Sequence, residues 1–199
     1  MQKDELKCRV EMGLFAAFAK AGEGLYARTV VMPTHVHLSP ADKQTLFGSG
    51  SIGTLDVCGP KNTLKQVVTA SGKYEKTLVN ISFTEALQIG IKGLRVFNGD
   101  FGKCAKCILR GPQGEVVLEH GAAASARSLY ISREYATIYR LSDGQKLCAA
   151  VNSGERKMIF EEVLVRISEK ECVELHLDSD EATAAGLTDG QSIEILMPD

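Results

Sequence analysis

The sequence predicts a mainly β protein built from two copies of one unit. After Gly24, short runs rich in β-branched and aromatic residues alternate with Gly, Pro, Asn and Asp, and runs of this length and spacing are typical of barrels or sandwiches. Helical segments are expected to be few and short, at 40–47, 84–90 and 180–185. A segment of different character, residues 1–24, precedes the first predicted strand.

The N-terminal segment is predicted to form an amphipathic helix. Its apolar residues recur every four positions, at Leu6, Val10, Leu14 and Phe18, which is helical spacing. Acidic residues at positions 4, 5 and 11 argue against a secretory signal, because such a signal needs a cationic start. Two interpretations stay open, namely a helix that docks on its own domain and a detachable helix for targeting or partner binding.

The duplication emerges when the chain is compared with itself. LVNISFTEALQIGI (78–91) aligns without a gap with ELHLDSDEATAAGL (174–187). THVHLSPAD (34–42) aligns with RSLYISREY (127–135), which places Ser39 over Ser132. Two pairs of matches at nearly equal offsets are better explained by two copies of one unit than by chance.

Composition and charge exclude several classes of function. A chain of 199 residues fits one large domain or two small ones, and a net charge of −2 provides no basic field for nucleic acid. Six cysteines lack the spacing of a disulfide framework, and no apolar stretch is long enough to span a bilayer. We therefore expect a reduced, cytosolic protein with neither a nucleic-acid nor a membrane partner.

The run MPTHVHLSP (32–40) contains two of the four histidines of the chain. On a strand, His35 and His37 project to the same face, and such a pair can hold a divalent metal such as zinc. The alternative interpretation is two polar or packing histidines on a strand surface. A pseudo-twofold pairing of the repeats would add further side chains to this constellation, namely Asn80, Ser128, Tyr130 and His176.

Two short motifs are interpreted as structural. Cys104 and Cys107 form a C-x-x-C, but the sequence around them is typical of a loop entering a strand and no second C-x-x-C accompanies them. GPKN (59–62) and GPQG (111–114) carry turn residues. They lack the glycine spacing of a phosphate-binding loop at a helix start.

Several motifs along the chain match the signatures of one protein family. THVHLS (34–39) resembles a signature of the type RHVHLS, and LRVFNGD (94–100) resembles one of the type PVRxSGD. RGPQGEVVLEHG (110–121) and residues 160–187 resemble two further signatures. By these motifs the chain resembles the phosphate propanoyltransferases, zinc-dependent phosphotransacylases associated with bacterial microcompartments, from about residue 27 onward.

The resemblance implies an architecture and an activity. It implies two tandem β-barrels capped by short helices, the first with a connecting hairpin within residues 25–123 and the second within residues 124–199. It implies two zinc ions between the barrels and transfer of a propanoyl or acetyl group between coenzyme A and phosphate. It also implies that residues 1–24 direct the protein into a microcompartment, with shell or lumen proteins as partners.

The resemblance also implies roles for individual residues. His35, His37 and His176 match metal ligands of the family. Arg127 and Arg166 match arginines expected to be catalytic and to contact phosphate or coenzyme A, and Arg95 matches a further coenzyme A contact.

The chain departs from the family pattern at several of these positions. Ser128 and Tyr130 replace the second histidine pair, and Asn80 replaces a metal-binding glutamate. Because Ser, neutral Tyr and Asn are poor zinc ligands, we expect at most one zinc ion, held by the three histidines. Expected arginines are also absent, at Thr34, at Phe83 and at Lys73 or Tyr74.

Three functions are compatible with these observations. The first is an active phosphate acyltransferase that uses zinc and coenzyme A. The second is a catalytically impaired homologue that binds coenzyme A or one metal ion and acts as a regulatory or partner protein. The third is a scaffolding protein recruited to a microcompartment through residues 1–20. All three place the chain in the bacterial cytoplasm, and all are compatible with a homo-oligomer.

Overall fold

Twelve β-strands and four short α-helices form the part of the chain that the structure describes. The structure is a computed structural model and describes residues 24–71, 74–152 and 154–197. The predicted N-terminal helix therefore lies outside the described residues. The strands are β1 (Leu25–Met32), β2 (His35–Leu38), β3 (Thr54–Cys58), β4 (Thr63–Ser71), β5 (Leu78–Asn80), β6 (Ala105–Arg110), β7 (Glu115–Ala123), β8 (Ser128–Ser132), β9 (Lys146–Val151), β10 (Met158–Ser168), β11 (Val173–Asp178) and β12 (Ser192–Leu196).

The helices are short, and three of the four lie close to predicted positions, whereas the one at Arg133–Ile138 was not predicted. They are α1 (Pro40–Phe47), α2 (Phe83–Gln88), α3 (Arg133–Ile138) and α4 (Ser179–Ala185), and a 3₁₀ turn covers Phe101–Lys103. The Ser39 side chain caps α1 and the Ser132 side chain caps α3, because a serine oxygen accepts a hydrogen bond from a free N–H of the first turn. No helix within these described stretches is long and apolar enough to cross a membrane.

The strands close into two six-stranded barrels, which confirms the predicted mainly β fold with two barrels. The N-terminal barrel has the strand order β2-β4-β3-β6-β7-β5, and the C-terminal barrel has the order β1-β11-β8-β10-β9-β12. The two compact units of the chain follow these barrels. One comprises residues 32–71, 74–126 and 178–180, and the other comprises residues 24–31, 127–152, 154–177 and 181–197.

The first strand of the first repeat belongs to the barrel built by the second repeat. Strand β1 closes the barrel of β8 to β12, and strand β7 closes the barrel of β2 to β6. The sequence-based division placed β1 with residues 25–123, as expected when neighbouring strands in the chain pair. In the structure β1 instead pairs antiparallel with β12, from Leu25 opposite Ile195 to Arg28 opposite Ser192.

Both repeats contain a β-bulge at the equivalent position. Strand β4 has a register shift against β3 with Gln66 at φ 56°, and strand β10 has a shift against β9 with Glu162 at φ 59°. An extra residue in a strand produces such a bulge and bends it. Because both copies carry the bulge, it is a feature of the repeated unit.

Each barrel encloses its own apolar core. Along β2, Val36 and Leu38 are buried in the N-terminal barrel, whereas His35 and His37 lie on the outer face. Along β8, Leu129 and Ile131 are buried in the C-terminal barrel. Since side chains alternate along a strand, the same register that fills the core places the predicted ligand positions outside it.

The two GP turns pack against the ends of helices. In GPKN, the Lys61 N–H donates to the Ile89 carbonyl just after α2, at 2.9 Å. In GPQG, the Gln113 N–H donates to the Leu46 carbonyl within α1, at 3.1 Å. The last carbonyls of a helix lack hydrogen-bond donors within the helix, so each turn supplies a donor to one of these carbonyls.

Thr29 supplies a stability prediction. Its Oγ1 is buried and has no hydrogen-bond partner in the described part of the chain, although its backbone N–H and carbonyl are bonded to Gln191 and Gly190. A buried hydroxyl without a partner is destabilising, so we expect Thr29→Val to raise the free energy of unfolding by about 1 kcal/mol. Urea denaturation would measure it.

Thr69→Val is the matched control for Thr29→Val. The Thr69 hydroxyl donates to the Gly53 carbonyl at 2.5 Å, so its removal should lower the free energy of unfolding by about 1 kcal/mol. Equal effects of the two substitutions would contradict the assignment of Thr29.

Candidate active site

His35 lies on the outer face of β2 with both ring nitrogens engaged. Its Nδ1 is 2.8 Å from the Pro33 carbonyl oxygen. A carbonyl can only accept a hydrogen bond, so Nδ1 carries the proton and Nε2 is unprotonated in the neutral ring. Nε2 accepts from the Asn80 side-chain amide at 3.0 Å. The ring is therefore held in one tautomer, with its basic nitrogen directed at Asn80.

Asn80 reaches His35 because of strand register. Strands β2 and β5 are antiparallel, and Asn80 is the direct cross-strand partner of His35. The pattern of Asn80 in the repeat alignment marked it as a ligand position, but the sequence alone did not place it opposite His35. The contact lies wholly within the N-terminal barrel.

His37 joins His35 to a group of aromatic side chains. The two imidazoles meet edge to face with centroids 4.9 Å apart, and His37 contacts the Tyr74 ring at 5.6 Å. Tyr74 in turn contacts Phe97 and Phe101. This aromatic cluster, Tyr74 with Phe97 and Phe101, was not recognised from the sequence. The three residues are far apart in the chain and show no periodicity.

The C-terminal barrel presents the equivalent face with different residues. Ser128 is the direct cross-strand partner of His176 between β8 and β11, as His35 is of Asn80. Tyr130 packs against the His176 ring with centroids 4.5 Å apart. The repeat alignment linked Ser128, Tyr130 and His176 to His35, His37 and Asn80. These three residues therefore lie together on one face of the β8–β11 pair.

His176 is held by a carboxylate that the sequence analysis did not single out. Its Nε2 is 3.2 Å from Glu174 Oε2, while Arg28 donates to Glu174 Oε1 at 2.8 Å. The hydrogen bond from His176, together with that from Arg28, lowers the pKa of Glu174 to about 2. The i, i+2 spacing of Glu174 and His176 on a strand was the available signal.

Arg127 is tied to its own barrel. Its Nε donates to Glu181 Oε1 at 2.6 Å and its Nη1 donates to the Glu161 carbonyl at 2.7 Å. Its guanidinium also lies 5.2 Å from the centroid of Phe160. In the N-terminal barrel the equivalent pair is Thr34 with Glu85, joined by a short hydrogen bond.

The two other predicted arginines are exposed. Arg166 lies on the outer face of β10, and Arg95 lies in the segment before β6. Neither forms an ion pair with any carboxylate that the structure describes. Both guanidinium groups are thus accessible to an anionic ligand.

Comparison with known proteins identifies the family. The family model described as phosphate propanoyltransferase matches residues 29–188, most of the chain. The chain belongs to the phosphate propanoyltransferase family. This confirms the resemblance seen in the sequence motifs.

Individual relatives align along nearly the whole chain. A phosphate propanoyltransferase of Shewanella putrefaciens is 31% identical over 178 residues, covering 82% of this chain and 84% of the relative. One of Thermotoga maritima is 32% identical, covering 81% of this chain and 85% of the relative. One of Salmonella arizonae is 30% identical over 82% of this chain and 85% of the relative.

The residues of this family member fit zinc only in part. His35 is oriented by a backbone carbonyl through Nδ1, as metal-binding histidines commonly are, and His37 adds a second imidazole on the same face. The third position of that face offers only the neutral amide of Asn80. Within the described ranges no group of three or more His, Cys, Asp or Glu side chains could hold a metal ion. This face therefore offers two imidazoles and one neutral amide, whereas protein zinc sites have three or four strong ligands.

The cysteines of the C-x-x-C are poor nucleophiles. Cys104 and Cys107 are free and buried. Burial raises the pKa of the Cys104 thiol, and it raises that of Cys107 to about 12. Their position on and beside β6 agrees with the structural interpretation.

The raised thiol pKa yields a reactivity prediction. At pH 8 we expect Cys107 to react with iodoacetamide roughly a thousandfold more slowly in the folded chain than in urea, because only the thiolate reacts. Peptide mapping by mass spectrometry would measure both rates. Cys148, which is only partly buried, is the control and should be far less protected. Equal protection of both cysteines would refute the explanation.

Proposed function

We propose that this protein transfers a short acyl group, propanoyl or acetyl, between coenzyme A and phosphate. Membership of the phosphate propanoyltransferase family over residues 29–188 is the observation that carries the proposal. In the reaction, a phosphate oxygen forms a bond to the thioester carbonyl carbon, and the carbon–sulfur bond breaks to release the coenzyme A thiolate. The products are an acyl phosphate and coenzyme A.

The face of His35 and His37 supports a metal-assisted reaction. These two imidazoles would hold a zinc ion, which would supply a Lewis acid to polarise a thioester carbonyl and stabilise a thiolate. The Asn80 amide orients the His35 ring by donating a hydrogen bond to its Nε2. His176 is predicted to be a further ligand, and measurements of zinc content and activity test this prediction as they test those for His35 and His37.

The exposed arginines support binding of the anionic substrates. Arg166 and Arg95 have accessible guanidinium groups without ion pairs among the described residues. One guanidinium group can donate two parallel hydrogen bonds to two oxygens of the same phosphate. Arg127 has less freedom, because Glu181 and the Glu161 carbonyl already accept from it. We therefore assign substrate binding first to Arg166 and Arg95.

The proposal is tested by metal content and activity together. Purified protein, prepared without chelator, is expected to contain about one zinc ion per chain and to form acyl phosphate from propanoyl-CoA or acetyl-CoA and phosphate. His35→Ala should lower both by at least tenfold, because even the side chains that orient metal ligands contribute about 10- to 100-fold to affinity or activity. His120→Ala is the matched control, since His120 is an exposed residue of β7. Activity that survives both chelation and His35→Ala would refute the metal-assisted reaction.

A second candidate function is supported by the substituted face of the C-terminal barrel. Ser128 and Tyr130 stand there in place of imidazoles, and Asn80 in place of a carboxylate. A homologue that binds coenzyme A without turnover, as a regulatory or partner subunit, is compatible with these changes. Calorimetry with coenzyme A, followed by the acyl-transfer assay on the same sample, separates the two: heat of binding without turnover selects the second candidate.

Localisation to a microcompartment is a proposal for residues 1–20, which lie outside the described residues. A chain that lacks these residues should lose its association with the compartment while retaining the acyl-transfer rate of the full chain. Unchanged localisation of the shortened chain would refute the targeting role.

A further inference from the structure

Two residues of the C-terminal barrel, Tyr130 and Arg166, form an adjacent pair of hydrogen-bond donors on its outer surface. Strands β8 and β10 run parallel, and Arg166 is the direct cross-strand partner of Tyr130. Leu129 and Val165 beside them are buried in the core, so Tyr130 and Arg166 both point outward. Neighbouring strands are about 4.8 Å apart, which lets the phenol and the guanidinium reach one ligand.

Both groups are available to a ligand. In the described portion of the chain, the Tyr130 hydroxyl has no hydrogen-bond partner and Arg166 has no ion pair. Tyr130 is held in place through its ring, which packs on His176 at 4.5 Å. The phenol is therefore positioned without its hydroxyl being used.

The charge of this face favours an anion. Glu174 is the cross-strand partner of Tyr130 on the other side, and a lone carboxylate there would repel an anion. However, Arg28 donates to one of its oxygens at 2.8 Å and His176 lies 3.2 Å from the other. The negative charge of Glu174 is thus compensated, whereas no described carboxylate pairs with the positive charge of Arg166.

The N-terminal barrel shows that this donor pair is specific to one copy. There the residue opposite His37 is Ala70, at the position that Arg166 takes opposite Tyr130. The N-terminal face therefore combines imidazoles with a small neutral neighbour, whereas the C-terminal face combines a phenol with a guanidinium. The first set suits a cation and the second suits an oxyanion.

We propose that Tyr130 and Arg166 bind a tetrahedral oxyanion directly, with Tyr130 at one of the two positions where the family pattern carries its second histidine pair. The Tyr130 hydroxyl donates one hydrogen bond to the anion and the Arg166 guanidinium donates one or two. The inference rests on the proposed function only for the identity of the anion as phosphate. Binding itself needs neither metal nor acyl-CoA.

The test is calorimetric titration of inorganic phosphate into the full chain after chelator treatment, at constant ionic strength. Tyr130→Phe should weaken phosphate binding roughly tenfold, the loss expected for one hydrogen bond to a charged group. Arg166→Gln should weaken it more, and Arg166→Lys should restore part of the loss. Tyr26→Phe and Arg133→Gln are matched controls on the same barrel, because Tyr26 is exposed and Arg133 pairs with Glu169. Both should bind as the parent does.

Competition identifies the source of the anion. Displacement of phosphate by coenzyme A but not by 3′-dephospho-coenzyme A would assign the site to the ribose phosphate, and failure of both to displace it would assign the site to free phosphate. Either result supports the oxyanion site. Unchanged phosphate affinity in both Tyr130→Phe and Arg166→Gln would overturn it, whether or not the parent chain transfers acyl groups.

Discussion

The double variant Ser128→His, Tyr130→His is expected to bind zinc on the C-terminal barrel at least roughly a hundredfold more tightly than the parent chain does there. Residues 128 and 130 lie on one face of β8, and position 128 is directly opposite His176. The two substitutions would thus complete a set of three imidazoles within one barrel. Three imidazoles with an open fourth position are a known catalytic zinc set.

The His176 ring is already oriented for this role. Its Nε2–H is held by Glu174, which Arg28 anchors, and this leaves Nδ1 for a metal. Metal-binding histidines commonly donate their other ring N–H to a carboxylate in this way. The added imidazoles therefore join a ligand that is already positioned.

Zinc competition with a chromophoric chelator, together with elemental analysis, would measure the gain. The control is Ser128→Ala, Tyr130→Phe, which changes the same positions without adding ligands and should bind no additional zinc. Adding His176→Ala to the double histidine variant should remove most of the gain. Identical zinc affinity in the parent and the double histidine variant would show that the register does not bring these three positions together.

Gly59→Ala is expected to lower the free energy of unfolding by about 2–3 kcal/mol, the upper range for overpacking a core. A Cβ at Gly59 would lie 2.3 Å from the Ile89 carbonyl oxygen, which is backbone and already accepts from Lys61. The turn cannot move away without losing the hydrogen bond that satisfies the end of α2. A steric clash and a lost helix-end contact therefore act together.

Chemical denaturation would measure the effect, with Gly53→Ala as the control. A Cβ at Gly53 would have no atom of the described residues within 4 Å, so this substitution should change stability by less than about 0.5 kcal/mol. Gly111→Ala tests the same logic in the other GP turn, since its Cβ would lie 2.5 Å from the Leu46 carbonyl oxygen. Equal stability of Gly59→Ala and Gly53→Ala would refute the packing role of the turn.

Much of the architecture was predictable from local patterns. Short apolar runs punctuated by turn residues predicted strands, and a helix was predicted at 40–47, where the structure has one. Self-alignment predicted the duplication, and the structure extends it to matching strand orders and matching bulges at Gln66 and Glu162. The positions of the strands and helices depend on residues close together in the chain, where periodicity and turn chemistry act.

The candidate site was predictable in its positions but not in its contacts. The i, i+2 spacing of His35 and His37 determined that they share a strand face. Their neighbours depend on which strands pair and in which register, and no local pattern reports that. The contacts of His35 with Asn80, of His176 with Glu174 and of Arg127 with Glu181 therefore emerged only from the fold.

By itself the sequence determined a duplicated, mainly β chain with a histidine pair on one copy and substituted positions on the other. The tertiary structure alone decided that β1 closes the barrel of the second repeat, and that Arg127 is held by Glu181 while Arg166 is accessible. The physical reason is the range of the interactions. Periodicity and capping act over a few residues, whereas barrel closure and ion pairs join residues that are distant in sequence, such as Arg28 and Glu174.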